Sequence, residues 1–140
     1  MHAALTEHVG RPVRLAAEDG VSHFDDGPVH LVTTSGLRAL EAAHGRPVDV
    51  RRLRPNVLVE TDGFGLVEES WIGRRLGLGE VTLDVVSTMP RCVMLNLPQV
   101  GLAAEPGLLD TVTAMNDMCF GVLAKVAAPG SVSTGDPVTR

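Results

Sequence analysis

The chain has 140 residues, 44% hydrophobic and 21% charged, which suits one folded domain with its own core and excludes extensive disorder. Aromatic residues make up 3% and the formal net charge is -5, so neither a stacking platform for single-stranded nucleic acid nor a phosphate-attracting surface is expected. A basic site must then be a local patch, of a kind that suits a small anionic ligand.

The first residues, MHAALTEHVGRPVRLAAEDG, lack the cationic start, apolar stretch and small-residue cleavage site of a secretory signal. No apolar run approaches the ~18 residues of a membrane span. A cytoplasmic location, with no membrane partner, is the resulting expectation. In that setting the two cysteines, Cys92 and Cys119, read as free thiols, and they lack the CxxC spacing of a zinc site.

In chain order, RPVRLAAEDG is a short apolar run closed by Asp-Gly and predicts a strand and turn. Val29 to Val32 predicts a second strand. From Ser35, Leu37, Leu40, Ala43 and His44 fall at helical spacing, with Thr34 or Ser35 to cap and Gly45 to terminate, so a helix is expected from Ser35 to His44. PVDVRRLRPNVLVETDG returns to alternation and predicts a strand interrupted at Pro55, at an edge or bulge. An acidic turn follows, then strands around Leu76 to Leu78 and Val81 to Val86, joined by Gly79-Glu80. Val81, Leu83 and Val85 share one face of the second. RCVMLNL predicts a further strand, EPGLLDTVTAMND a helix entered after Pro106, CFGVLAKVAAPG a strand, and SVSTGDPVTR a last turn and strand. Many short strands broken by glycine, with two good helices, point to a mainly β barrel or sandwich with small helical insertions.

Cys92 is the first candidate for chemistry, because thiolate binds metals and attacks sulfur or carbon centres, and a nearby guanidinium favours that ionised form. Arg91 is adjacent, but on a strand the two side chains would point to opposite faces. A small buried hydrophobe is the alternative reading of Cys92. The second candidate is RRLRPN. On an extended backbone Arg52, Arg54 and Asn56 share a face, where two guanidiniums and an amide could grip a phosphate or carboxylate; a solvated face with salt bridges is the alternative. Glu68, Glu69 and Trp71 form a third group, readable as an ordinary helix start with a core or lid residue, or as an acid/base pair. Cys119, beside Met118 and Phe120, reads as packing. The histidines His2, His8, His23, His30 and His44 show no HxH or HxxxH pairing, and no GxGxxG, P-loop or GxSxG is present.

Taken in order, DGPVHLVTTSGLRAL, RRLRPNVLVE, EESWIGRRLGLGEVTLDVV, PRCVMLNLPQVGL and FGVLAKVAAPGSVSTGDPV resemble the MOSC domain, named for the C-terminal domain of molybdenum cofactor sulfurase. The set is specific as a sequence of motifs, above all Arg-x-Arg-Pro-Asn, Trp-x-Gly and Arg-Cys-Val, and runs from Asp26 to Val138. The resemblance implies a MOSC-type β-barrel with a few short helices over residues 26–140, preceded by an N-terminal strand and turn segment at 1–25. It implies that Cys92 ligates the molybdenum of molybdenum cofactor (molybdopterin) or acts on sulfur. Arg91 would support it, and Arg52, Arg54, Asn56, Glu68 and Trp71 would contact the cofactor or wall its pocket.

The family's chemistry implies either reduction of N-oxygenated compounds, as in the amidoxime-reducing enzymes, or sulfur transfer through a Cys92 persulfide. A separate electron or sulfur donor would be the partner, since no flavin, haem or iron-sulfur signature is present and no pyridoxal phosphate site is expected. A cofactor-free enzyme or sulfur carrier using the same pocket, or a non-catalytic binding module, are the other classes. Longer members carry a β-rich stretch ahead of the matched region, so the resemblance implies missing barrel strands here, and an exposed edge would favour a homodimer. Leu53 stands where the family commonly has an aromatic between the two arginines.

Overall fold

The computed structural model describes residues 2–17, 19–20 and 27–140, without the side chain of His2. Six strands, β1 Val29–Thr33, β2 Val57–Val59, β3 Arg75–Leu78, β4 Val81–Pro90, β5 Cys119–Ala128 and β6 Val138–Thr139, form one sheet in the order β2-β1-β5-β4-β3-β6. The sheet curls into a nearly closed barrel with three short helices, α1 His2–Val9, α2 Thr34–His44 and α3 Leu108–Asn116. The mainly β barrel expected from the sequence is thus observed.

The β4 and β5 pair is the backbone of the sheet. Its register shifts between Thr82 and Leu83, Val85 and Ser87, and Thr88 and Pro90 mark bulges, which bend and twist long strands toward closure. The barrel interior holds Leu31, Trp71, Leu76, Leu83, Val85 and Val122. The opposite face of β1 and β5 carries Val32 and Phe120, which pack against Leu40 of α2 and Leu108 and Val112 of α3. One strand pair therefore serves two cores, and this explains why β1 is apolar on both faces.

Helix α2 is capped by Thr33, one residue before the expected caps: its extended backbone (φ -107, ψ 154) lets Oγ1 accept the Gly36 N–H at 3.0 Å. Gly45, at φ 77, ends the helix and donates its N–H to the Glu41 carbonyl.

Three expected strands are corrected. Residues 12–17 carry no regular secondary structure, and α1 occupies the chain ahead of them; Glu18 and the boundary at 25/26 lie outside the described residues. Alternation before Pro55 gives a 3₁₀ turn, Val50–Leu53, because the Asp49 side chain accepts the Arg51 N–H and starts a turn instead of an extended run. After Pro90 the chain leaves β4 and Val93–Leu95 forms another 3₁₀ turn, its apolar residues serving to drop Leu95 into the helix-side core.

Candidate functional site

A cleft of about 430 Å³ opens on the outer face of β1 and β5, where β4 ends. Its wall includes His30 and Leu123 from the paired strands, Leu53 and Arg54 from the turn before β2, and Met89 to Cys92 from the end of β4. Cys92 is a free thiol and exposed; Cys119 is also free but half-buried. Arg91 leaves the strand held by its own N–H to the Met118 carbonyl, and its guanidinium Nη2 donates to the Leu53 carbonyl at 2.8 Å. The Arg91 side chain thus spans from the Cys92 loop to the turn carrying Arg54.

The two arginines of RRLRPN behave differently because the turn separates them. Arg52 is 4% exposed, and its guanidinium donates to the carbonyls of Leu95, Leu97 and Ala103 and lies 3.9 Å from Glu105. It is a brace for the loop after Cys92. Arg54 is exposed, makes no side-chain hydrogen bond or ion pair among the described residues, and has φ 51, a left-handed backbone that costs a non-glycine residue about 1 kcal/mol. Strain of this kind at a cleft is a common mark of function. Asn56 borders the cleft, but its Oδ1 accepts the His30 N–H at 2.7 Å.

His30 is the cleft residue that sequence reasoning missed. Its ring is buried, with Nε2 3.2 Å from the Phe120 carbonyl. Burial lowers its pKa to about 4, helped by the positive charge of Arg91 and opposed by the carbonyls of Phe120 and Arg54, so the imidazole is neutral at neutral pH. Gly121 makes room for it: a Cβ there would lie 2.5 Å from His30 Nε2 and 2.6 Å from the Leu31 carbonyl. The available signal was a single histidine inside an apolar strand, VHLVT, whose burial demands a polar partner.

Glu68 and Trp71 are not brought together with Cys92; neither lines the cleft. Glu68 is fully buried beside the first turn of α2, where Thr33 Oγ1 donates to its Oε2 at 2.5 Å. Burial pushes its pKa up, and the Thr33 hydroxyl limits the rise. Trp71 lines a second cavity of about 810 Å³ between β2 and the segment from Val132 to Arg140.

The nearly closed barrel with short helices, which presents an exposed cysteine just past the end of β4, is consistent with a MOSC β-barrel. A model of the MOSC domain matches residues 14–139, and the chain belongs to that family. It is 28% identical over 134 residues to mitochondrial amidoxime reducing component 2 of Rattus norvegicus, covering 86% of this chain and 38% of that protein. It is 26% identical over 136 residues to mitochondrial amidoxime-reducing component 1 of Xenopus laevis, covering 88% of this chain and 39% of that protein. The chain therefore spans about two fifths of these relatives. Among solved structures, YiiM from Geobacillus stearothermophilus matches with a TM-score of 0.61 at 17% identity, covering 81% of this chain and 53% of that one. The YUAD protein of Bacillus subtilis matches with a TM-score of 0.64 at 20% identity, covering 79% and 61%. These two share the fold.

Among the described residues no group of three His, Cys, Asp or Glu side chains could hold a metal ion, so a metal at Cys92 has to bring other ligands with it. A soft, accessible thiol in the cleft that the Arg54 guanidinium also lines fits an anionic, metal-carrying cofactor in its donor chemistry.

Proposed function

We propose that this MOSC chain binds molybdenum cofactor at the Cys92 cleft and takes part in the reduction of N-oxygenated compounds. The observation that carries the reading is the exposed Cys92 thiol in a cleft that it shares with the unengaged guanidinium of Arg54. The similarity to amidoxime-reducing components supports the substrate class. When bound, the cofactor would supply the two-electron oxygen-removing chemistry.

The chain's own residues would do the rest. Cys92, as thiolate, would ligate molybdenum and fix its position at the cleft mouth. Arg54 would hold the phosphate or another anionic group through charge-assisted hydrogen bonds. Arg91 would add positive charge while tying the Cys92 loop to the Arg54 turn, and Arg52 and Asn56 would brace the same frame. His30, kept neutral, lets the wall tolerate a cationic neighbour such as Arg91 without repulsion. Electrons would come from a separate protein, and the cytoplasmic location expected from the sequence belongs to the same proposal.

A second reading, sulfur transfer, is favoured by the exposure of Cys92 itself. Attack of its thiolate on the outer sulfur of a donor persulfide would leave the donor thiol reduced and the sulfur on Cys92. Elemental analysis for molybdenum and pterin fluorescence, on protein from a host that makes the cofactor, test the first reading. Stoichiometric metal and pterin that disappear in a folded Cys92→Ser variant are expected. Folded wild-type protein from that host with neither would overturn it.

A further inference from the structure

Trp71, the single tryptophan of the chain, is 1% exposed, yet its indole N–H has no acceptor. A buried donor without a partner is costly and rare in native structures, and it points to an occupant of the space it borders. That space is the 810 Å³ cavity beside β2, which has the size of a small-molecule site.

The floor of the cavity is apolar. Val59, Trp71 and Leu78 belong to the barrel core, Val57 and Val138 pack against it, and all five line the cavity. The guanidinium of Arg140, also in the lining, stacks on the indole at 5.5 Å from the ring centroid. It makes no hydrogen bond or ion pair among the described residues. Two unanswered donors therefore stand together over an apolar floor. Because β2 ends the sheet order, its far edge adds unpaired backbone groups to the same wall, again among the described residues.

The carboxylates of the lining leave these donors unanswered. Asp136 accepts the Ser133 N–H at 2.7 Å within its own turn, and Glu60 is exposed just past the end of β2.

We propose that this cavity binds a small monocarboxylate with an apolar body, such as a medium-chain aliphatic acid. The carboxylate would draw Arg140 off the ring and accept from both the guanidinium and the indole N–H, while the aliphatic part covers the floor. Charge sets the class. One guanidinium faces Glu60 and Asp136, so a second negative charge on the ligand, as in a dicarboxylate or a phosphate, would be repelled. A cation with the same tail would meet Arg140 and leave both donors unanswered. The site is separate from the one proposed at Cys92, since of the described residues lining the two cavities only Asn56 is common to both.

The test is titration of the full chain with octanoate, followed by Trp71 emission and by calorimetry. Octylammonium, of like tail and opposite charge, and suberate, the dicarboxylate of the same length, serve as comparisons. Saturable one-to-one binding of octanoate is expected, with a dissociation constant of about 1 mM or below for a ligand of this size. Both comparison compounds should bind at least about tenfold more weakly, and Arg140→Gln should weaken octanoate by about tenfold or more with unchanged far-ultraviolet dichroism. Emission that does not saturate with octanoate would overturn the proposal. Equal binding of octanoate and octylammonium would do the same, as it would show adsorption to apolar surface alone, and so would an unchanged octanoate affinity in folded Arg140→Gln.

Discussion

His30 and Asn56 hold each other by two hydrogen bonds: Asn56 Oδ1 accepts the His30 N–H at 2.7 Å, and the Asn56 N–H donates to the His30 carbonyl at 2.9 Å. This pair sets the start of β2 beside β1 and fixes the turn that carries Arg54. Asn56→Ala should therefore cost about 1–2 kcal/mol, since it leaves a partly buried N–H without its acceptor. Asn56→Asp, which keeps the acceptor, should cost less; urea midpoints of the three proteins check the order.

Arg52 and Arg54 should separate stability from binding. Arg52→Ala removes a buried guanidinium from three carbonyls and should destabilise by about 2–4 kcal/mol, and Arg52→Lys should restore little because an ammonium cannot span the same fork. Arg54→Gly should leave stability unchanged or raise it by up to about 1 kcal/mol, because glycine adopts φ 51 without strain. The same change should weaken an anionic ligand by about 1.5–3 kcal/mol in calorimetry. Equal loss of stability in both variants would contradict this division.

Stability should fall with acid through His30. Its pKa is lowered from 6.5 to about 4 in the folded protein, so between these values the unfolded chain binds the extra proton and gains on the native state. The loss should begin as pH falls below about 6.5 and reach about 3 kcal/mol near pH 4. Above pH 6.5 both states are neutral at this residue and it contributes no slope. His30→Gln should flatten the slope in that window when stability is measured by denaturation across pH.

Glu68 should act in the opposite sense. Its folded pKa is raised, so its contribution is full below the unfolded value of about 4.5 and is lost as pH rises through the folded one. The stability of wild type minus that of Glu68→Gln should accordingly decrease from acid toward neutral pH. A difference that is flat or rises with pH would show that Thr33 outweighs burial.

Thiol reactivity follows exposure. Cys92 should be alkylated before Cys119 in folded protein, by mass mapping over time, because Cys92 is exposed and Cys119 is half-buried on β5 beside Phe120. Faster labelling of Cys119 would contradict the placement of the cleft.

Local pattern made much of this molecule readable. The alternation of Val81, Leu83 and Val85, the helical spacing from Ser35 to His44, and the ordered motifs around Arg54, Trp71 and Cys92 depend on neighbours within a few residues, and each led to the correct element or family. Three strands were misread for one physical reason. Apolar alternation at 11–20, at 50–54 and at 92–97 says that side chains are to be buried, but the backbone form depends on whether a strand edge is available to pair with. Asp49 offered a turn instead, and at Cys92 the chain had already run past Pro90, which pairs with Cys119, the first residue of β5.

The site shows the same division. Which residues carry chemistry, Cys92 and Arg54 with Arg91 between them in role, is written in residue type and motif. Which of them meet is not: the turn Val50–Leu53 put Arg52 among carbonyls, the turn Val67–Trp71 put Glu68 against α2 and Trp71 in the cavity beside β2, and β1 brought in His30, whose neutrality comes first from burial and then from the charge of Arg91. Sequence determined the family, the helices α2 and α3, the β3–β4 hairpin and the thiol. Tertiary structure alone decided who shares a cavity, because burial, orphaned hydrogen-bond donors and unpaired strand edges are created only when distant segments close around one another.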